Sequence, residues 1–194
     1  MSAQTLQEEL TAGKRKSAKP MLWVSMISMV MFFAGLTSAY VVSMKRDDWV
    51  TFDLPQAFYT STILIILSSV TLILSQKLLK KNNLKGSLAL LLATLLLGLG
   101  FVWFQYVGFN ELKAVGLFFT GPESTVSTSF ILGITFMHIL HLLAGVIVLL
   151  VVIYNHFKKK YSAADMLGFE LGGIFWHFVD VLWIYLFFFF YFIR

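Results

Sequence analysis

Long apolar runs separated by short polar, mostly basic segments organise the chain. About 20 mostly apolar residues suffice to cross a hydrocarbon core. Five stretches meet that length: Met21 to Met44, Ala57 to Leu74, Ser87 to Val107, Ser127 to Tyr154 and Phe169 to Ile193. At a helical rise of about 1.5 Å per residue they reach from about 27 Å to about 42 Å. The fourth exceeds a core of about 30 Å and is expected to tilt or to project into the interface. Runs such as Ser87–Gly100 and Val146–Tyr154 do not alternate apolar and polar residues, as barrel strands do. Helices satisfy their own backbone groups in lipid, so the expected fold is all-α, an integral membrane bundle of five transmembrane helices.

Residues 1–20 are polar and are expected to form a short cytosolic arm ahead of a transmembrane domain over 21–194. The arm carries a weak capping signal, Thr5-x-x-Glu8. The first apolar run is too long for the core of a signal peptide and is read as a retained helix. The segment from Lys113 to Ser124 contains Gly116, Gly121 and Pro122, which break the chain before helix 4.

Composition agrees with this pattern. Of 194 residues, 58% are apolar and 13% are charged, and mean hydropathy is +0.81. A soluble domain is about 45–50% apolar and about 25% charged. No cysteine occurs, which excludes disulfides, thiolate metal sites and thiol nucleophiles. The net charge is +5, and the placement of the basic residues carries the information. Lys14, Arg15, Lys16 and Lys19 precede helix 1, Lys77, Lys80, Lys81 and Lys85 lie between helices 2 and 3, and Lys158, Lys159 and Lys160 lie between helices 4 and 5. The opposite segments hold Lys45, Arg46, Lys113 and Arg194. This alternation places the N-terminus in the cytosol and the C-terminus outside. It fits a membrane protein and no nucleic-acid partner.

Ionisable groups at membrane depth are costly and mark functional or structural sites. The candidates are His138 and His141 on helix 4 and Glu170, His177 and Asp180 on helix 5. His138 and His141 are three apart and share a face, with Thr135 and Gly145 on or near it. Glu170 and His177 are seven apart, and Asp180 lies about 60° round the helix from His177. Each of the last two helices thus carries a polar stripe, expected to face the other stripe or another subunit. By helical rise His177 lies about 12 Å from its cytosolic end, and His141 and His138 about 20 and 24 Å from theirs. His141 is the better-placed partner for His177.

Three functional readings stand beside plainer ones. The histidines could ligate a b-type haem, or be core histidines bonded to neighbouring groups. Glu170, His177 and Asp180 could form a proton path, or an internal polar lock. The polar groups could hold lipid headgroups, while the lysines simply snorkel. Trp23 and Trp49 suit interface anchoring, and Trp103, Trp176 and Trp183 suit packing. Gly35, Gly98 and Gly100 are expected to permit close helix approach. No nucleotide loop, zinc-helix motif or nucleophile elbow occurs.

Two segments carry a resemblance. Thr135-Phe-Met-His138-Ile-Leu-His141-Leu-Leu-Ala-Gly145 resembles the helix of the haem–copper oxidase subunit III family that reads T-G-F-H-G-L-H-V-x-x-G. Gly168-Phe-Glu170 followed by Trp176-His177-Phe-Val-Asp180-Val-Leu-Trp183 is similar to that family's last helix, with its W-H-F-V-D-V-x-W core. Weaker echoes lie in Met31-Phe32-Phe33-Ala34, in Ser68-Ser69-x-Thr71, and in Gly98 with Gln105. The chain looks like a five-helix form lacking the first two helices of larger members. It departs from the family at Met29, where a membrane-buried glutamate is usual, at Gly108, where a carboxylate is often found, and at Met137 and Ile139, which replace glycines.

The resemblance implies a subunit without redox centres in a bacterial inner membrane. Haems and copper would lie in partner subunits, and no catalytic or metal-binding residue would lie in this chain. It would pack on catalytic subunit I beside subunit II, and could join a larger respiratory assembly. It would bind phospholipid and support proton uptake and sustained turnover. The alternatives are subunit III of a quinol oxidase, a nitric-oxide-reductase accessory subunit, a di-histidine haem b carrier, or a small transporter, against which the absence of broken helices and inverted repeats argues.

Overall fold

The computed structural model describes residues 3–47, 49–51, 53–118, 121, 124–162 and 165–193, with the backbone alone for 3–11 and 14. The Thr5 and Glu8 side chains, Pro122 and Arg194 therefore lie outside the described residues. Five α-helices form: α1 Ala3–Ser43, α2 Gln56–Lys80, α3 Leu84–Ala114, α4 Val126–Phe157 and α5 Leu167–Phe192. Among the described residues the only strand-like feature is an isolated bridge between Phe118 and Ser124. Each helix contains a stretch long and apolar enough to span a membrane. Each also runs past its apolar segment. α1 begins in the polar arm and continues through Pro20 without a break, 41 residues in all. At about 1.5 Å per residue α1 is about twice as long as a hydrocarbon core is thick.

Local chemistry sets the helix ends. Thr125 and Thr128 form a reciprocal capping box that starts α4. The Asn83 side chain accepts the Gly86 N–H at 3.0 Å and starts α3. Three helices end alike. Asn82 (φ 57°), Gly116 (φ 83°) and Lys159 (φ 52°) adopt the left-handed conformation just beyond α2, α3 and α4. In each case two backbone N–H groups fold back on the last turn, as in Asn83 N to Leu78 O and Asn82 N to Leu79 O. Gly116 takes that conformation without steric cost. Asn82 is tolerated there, and Lys159 carries strain.

The helices pack as a ring, α1 on α4, α4 on α3 and α3 on α2, with α5 set between α2 and α1 and also against α4. α5 is the most deeply buried span and α1 the least. The core is aromatic: Trp176, Trp183, Tyr40, Phe33, Phe58 and Phe101 are its largest fully buried side chains. Outward positions such as Val24, Ile63, Leu96, Ile147 and Phe192 are exposed, as a lipid-facing surface requires. Lys19, Leu84, His156 and Glu170 share one end of the bundle, where Lys19 meets Glu170 and His156 meets Leu84. Tyr40, Phe58, Phe109 and Phe189 pack at the other end.

Candidate functional site: polar groups within the bundle

α2 is the polar hub. Ser61, Ser68 and Ser75 recur every seven residues and are all fully buried. Two of them bind α3: Ser75 donates to Ser87 O at 2.7 Å, and Gln105 Nε2 donates to Ser61 at 3.0 Å. Thr71 and Thr94 add a hydroxyl pair at 2.8 Å. The adjoining face of α2 binds α5. The Trp176 indole N–H donates to Ser68 at 2.8 Å, and that of Trp183 to Thr62 at 3.0 Å. Polar bonds between spanning helices contribute about 0.6 kcal/mol each on average, so their number and placement matter more than any one of them.

The polar stripe of α5 divides between two neighbours. Glu170 pairs with Lys19 of α1 at 2.8 Å, beside an ion pair of Arg15 with Asp165. These pairs are partly exposed. His177 and Asp180 turn toward α2, where Ser69 Oγ lies 3.0 Å from His177 Nδ1 and also bonds Asp180 Oδ2. His177 Nε2 and Asp180 Oδ1 are buried without a partner among the described residues.

The stripe of α4 divides as well. His138 is fully buried. Its ring lies against Trp183 at 5.2 Å and Phe101 at 6.0 Å, and neither ring nitrogen has a hydrogen-bond partner among the described residues. His141 Nδ1 lies 2.7 Å from Met137 O of its own helix, and its ring meets Phe33 of α1 at 5.6 Å. The two stripes therefore do not form one cluster. His138 faces the aromatic core, His141 faces α1 and His177 faces α2. Among the described residues no group of three or more His, Cys, Asp or Glu could hold a metal ion.

Reading the sequence alone misses several members of this network. His156 is buried, with Nε2 3.0 Å from Leu84 O. Trp176 and Trp183, read as packing rings, are also hydrogen-bond donors. Trp49 packs on Tyr40 at 4.8 Å with its indole nitrogen buried, so it belongs to the bundle, whereas Trp23 is exposed. The serine heptad on α2 is the signal that would have revealed the hub. Gly108 also gains an explanation: a side chain there would overlap the ring of Phe58, so a carboxylate has no room. Met29 is half-buried and packs on the core.

Two open cavities flank α1. One of about 420 Å³, between α1 and α4, is lined by Leu36, Phe130, Gly133, Ile134 and Met137, with Ser124, Thr125 and Ser129 at its polar edge. The other, about 320 Å³, lies between α1 and α5 beside Val30, Phe33, Phe178, Val181 and Tyr185.

The chain matches the family described as "Cytochrome c oxidase subunit III" over residues 2–194. The chain belongs to that family. Its relatives include a "Cytochrome c oxidase subunit 3" of Artemia franciscana, 36% identical over 66% of this chain and 47% of the relative. A protein of the same name from the bacterium Alkalihalophilus pseudofirmus is 27% identical over 80% of this chain and 73% of the relative. One from Rhipicephalus sanguineus is 36% identical over 72% of this chain and 51% of the relative. The chain thus spans about half the length of the Artemia and Rhipicephalus relatives, and about three quarters of the bacterial one. The family membership goes with five helices long and apolar enough to cross a membrane.

Proposed function

We propose that the chain is a redox-silent subunit III of a haem–copper terminal oxidase in a bacterial inner membrane. It packs on the catalytic subunit I beside subunit II, holds phospholipid, and supports proton uptake and turnover. The observation that carries this reading is how the ionisable groups at membrane depth are used. Glu170 is spent on α1, His177 and Asp180 on α2, and His138 on the aromatic core. That is the arrangement of a scaffold. A haem between two helices needs two facing histidines, and here they point to different neighbours.

The orientation follows from charge. The end of the bundle carrying Lys19 and the α2–α3 and α4–α5 connections holds eleven of the fifteen basic residues, which favours the cytosolic side. The cavities beside α1 have the apolar lining and hydroxyl edge that suit a lipid acyl chain and its ester region.

The test is purification of the tagged chain from its native membrane in mild detergent, followed by mass spectrometry and an optical spectrum. A haem-bearing subunit should accompany it, and the separated chain should show no Soret band. A Soret band on the separated chain, or an active chain with no companion, overturns the reading. Replacement of Lys158, Lys159 and Lys160 by Gln tests the contribution to proton uptake. Oxidase turnover should fall on the alkaline side, where protons are scarce, and an unchanged pH profile rejects that part.

A further inference from the structure

The Ser69 contacts fix a proton count. A serine hydroxyl carries one hydrogen and two lone pairs. Ser69 Oγ bonds both His177 Nδ1 and Asp180 Oδ2, so it donates to at most one of them. If it donates to His177, the hydrogen of the second bond belongs to Asp180, which is then a neutral acid. If it donates to Asp180, His177 supplies the other hydrogen from Nδ1. With Asp180 ionised and His177 neutral, that second arrangement leaves a net negative charge on a residue that is 2% exposed. A lone buried charge is strongly disfavoured in an apolar interior.

Among the described residues no cation stands near enough to compensate it. α1 has no Lys, Arg, His, Asp or Glu between Lys19 and Lys45, α2 has none between Asp53 and Lys77, and α3 has none between Lys85 and Glu111. On α5, Glu170 is paired with Lys19 at the bundle end. On α4, His138 lies against Trp183 and His141 against Phe33. The neutral states of the cluster therefore hold one proton more than an ionised Asp180 beside a neutral His177.

We propose that Ser69, His177 and Asp180 form a single-proton site inside the spanning bundle, its ligand being H⁺, held on the carboxyl or the imidazole and passed between them through the serine hydroxyl. The transfer balances without any other reactant. The Asp180 O–H bond breaks as its proton goes to Ser69 Oγ, and the Ser69 hydrogen goes to His177 Nδ1. The reverse transfer restores the acid. Withdrawing the proton leaves an anion between α2 and α5, and adding a second leaves a cation, so both changes weaken that helix contact. The site needs only this chain, and it stands whether or not the chain is a subunit III.

The experiment uses the full chain in lipid, in its native complex, labelled with ¹³C-aspartate and ¹⁵N-histidine. Solid-state NMR at neutral pH reads Asp180 Cγ and both ring nitrogens of His177, assigned by their loss in Asp180→Asn and His177→Gln. A protonated carboxyl with a neutral imidazole supports the site, and so does an ionised carboxyl with a doubly protonated imidazole. An ionised carboxyl beside a neutral imidazole overturns it, as does a protonated carboxyl beside a doubly protonated one. Ser69→Ala keeps both titrating groups and should shift the signals of both residues. If neither signal moves, the hydroxyl is not the bridge and the proposal fails.

Discussion

One methyl group added at Gly98 should destabilise the bundle more than the same methyl at Gly35. A Cβ on Gly98 would lie 2.7 Å from Trp176 Cη2 and 2.8 Å from Cζ2. Carbon atoms in contact sit at about 3.5–4.0 Å, so the ring must yield by about 1 Å. It has nowhere to go. Trp176 is 1% exposed, its indole N–H is bonded to Ser68 at 2.8 Å, and a Cβ on Gly145 of α4 would already meet its far edge at 3.5 Å. Overpacking of this kind costs about 1–3 kcal/mol. If the ring moves far enough to lose its hydrogen bond, an unsatisfied buried donor costs about 1–3 kcal/mol more. Alanine is favoured over glycine in a helix by about 1 kcal/mol, which offsets part of the loss. The expected net cost of Gly98→Ala is about 0–2 kcal/mol if the hydrogen bond survives and about 1–5 kcal/mol if it is lost. At Gly35 an added Cβ meets nothing within 4 Å, so Gly35→Ala should be neutral or stabilising by up to about 1 kcal/mol. Reversible unfolding of the full chain in mixed micelles, followed by tryptophan fluorescence, measures both variants. If Gly98→Ala proved as stable as Gly35→Ala, the slot around Trp176 would be an incorrect description.

Three other outcomes are expected. His138→Leu should leave stability unchanged or raise it by about 1–2 kcal/mol in the same unfolding assay, because a ring with two unpartnered buried nitrogens is replaced by an apolar group. A loss above about 2 kcal/mol would reveal an uncounted partner, such as a water shared with Thr135 Oγ1, which is also buried and unpaired. Arg15→Gln and Lys19→Gln should each cost under about 1 kcal/mol, since these partly exposed pairs are screened by water and salt. Their combined signature should be faster hydrogen exchange in α1 near residues 15–22, and unchanged exchange there would mean the pairs do not anchor α1. Burial raises the pKa of Tyr161 above its ordinary value of 10.0, where its ring meets Phe169 edge to face at 6.0 Å. Its contribution to stability is therefore complete below about pH 10 and is lost as pH rises through the raised value. Tyr161→Phe should abolish that alkaline step in a stability titration.

The five helices were legible because hydropathy over about 20 residues is a strong signal. Their ends were less so. Gly116 advertises a left-handed residue, but Asn82 and Lys159 adopt the same conformation without a glycine to mark it. For the candidate site, helical spacing correctly groups residues by face, yet it cannot say which helix a face meets. Glu170 and Lys19 are 151 positions apart, and nothing local in either segment joins them. The same limit separates Gly35, Gly98 and Gly100, which look alike in sequence. A Cβ would collide with Trp176 at the second, make an ordinary 3.5 Å contact with Leu64 at the third and meet open space at the first. Ser68 and Ser69 of α2 stand out only through the family echo, and the wider serine recurrence is silent for a different reason. Serine is nearly neutral in hydropathy, so the seven-residue recurrence of Ser61, Ser68 and Ser75 leaves the apolar profile undisturbed.

The distribution of polar groups bears on whether the acids of α5 make a conduit. Glu170 and Asp180 are ten residues apart, about 15 Å along the helix, several times the length of a hydrogen bond. His177 lies between them in sequence, but its one bonded nitrogen is turned to Ser69, toward Asp180 and away from Glu170. Glu170 is engaged with Lys19 at the bundle end. Of the α5 residues between them, Leu171 to Trp176, only the Trp176 indole is polar, and it is committed to Ser68, while from α2 the Gln76 amide lies so close against Gly173 that a Cβ there would overlap its Nε2. The two acids are thus bonded to different helices, Glu170 to α1 and Asp180 to α2. Glu170 bonds α1, the least buried span and the longest helix, and Asp180 with His177 bonds α2. The bonded partners of the His177 and Asp180 pair meet at Ser69, so a proton exchanged through that hydroxyl moves within the α2–α5 contact.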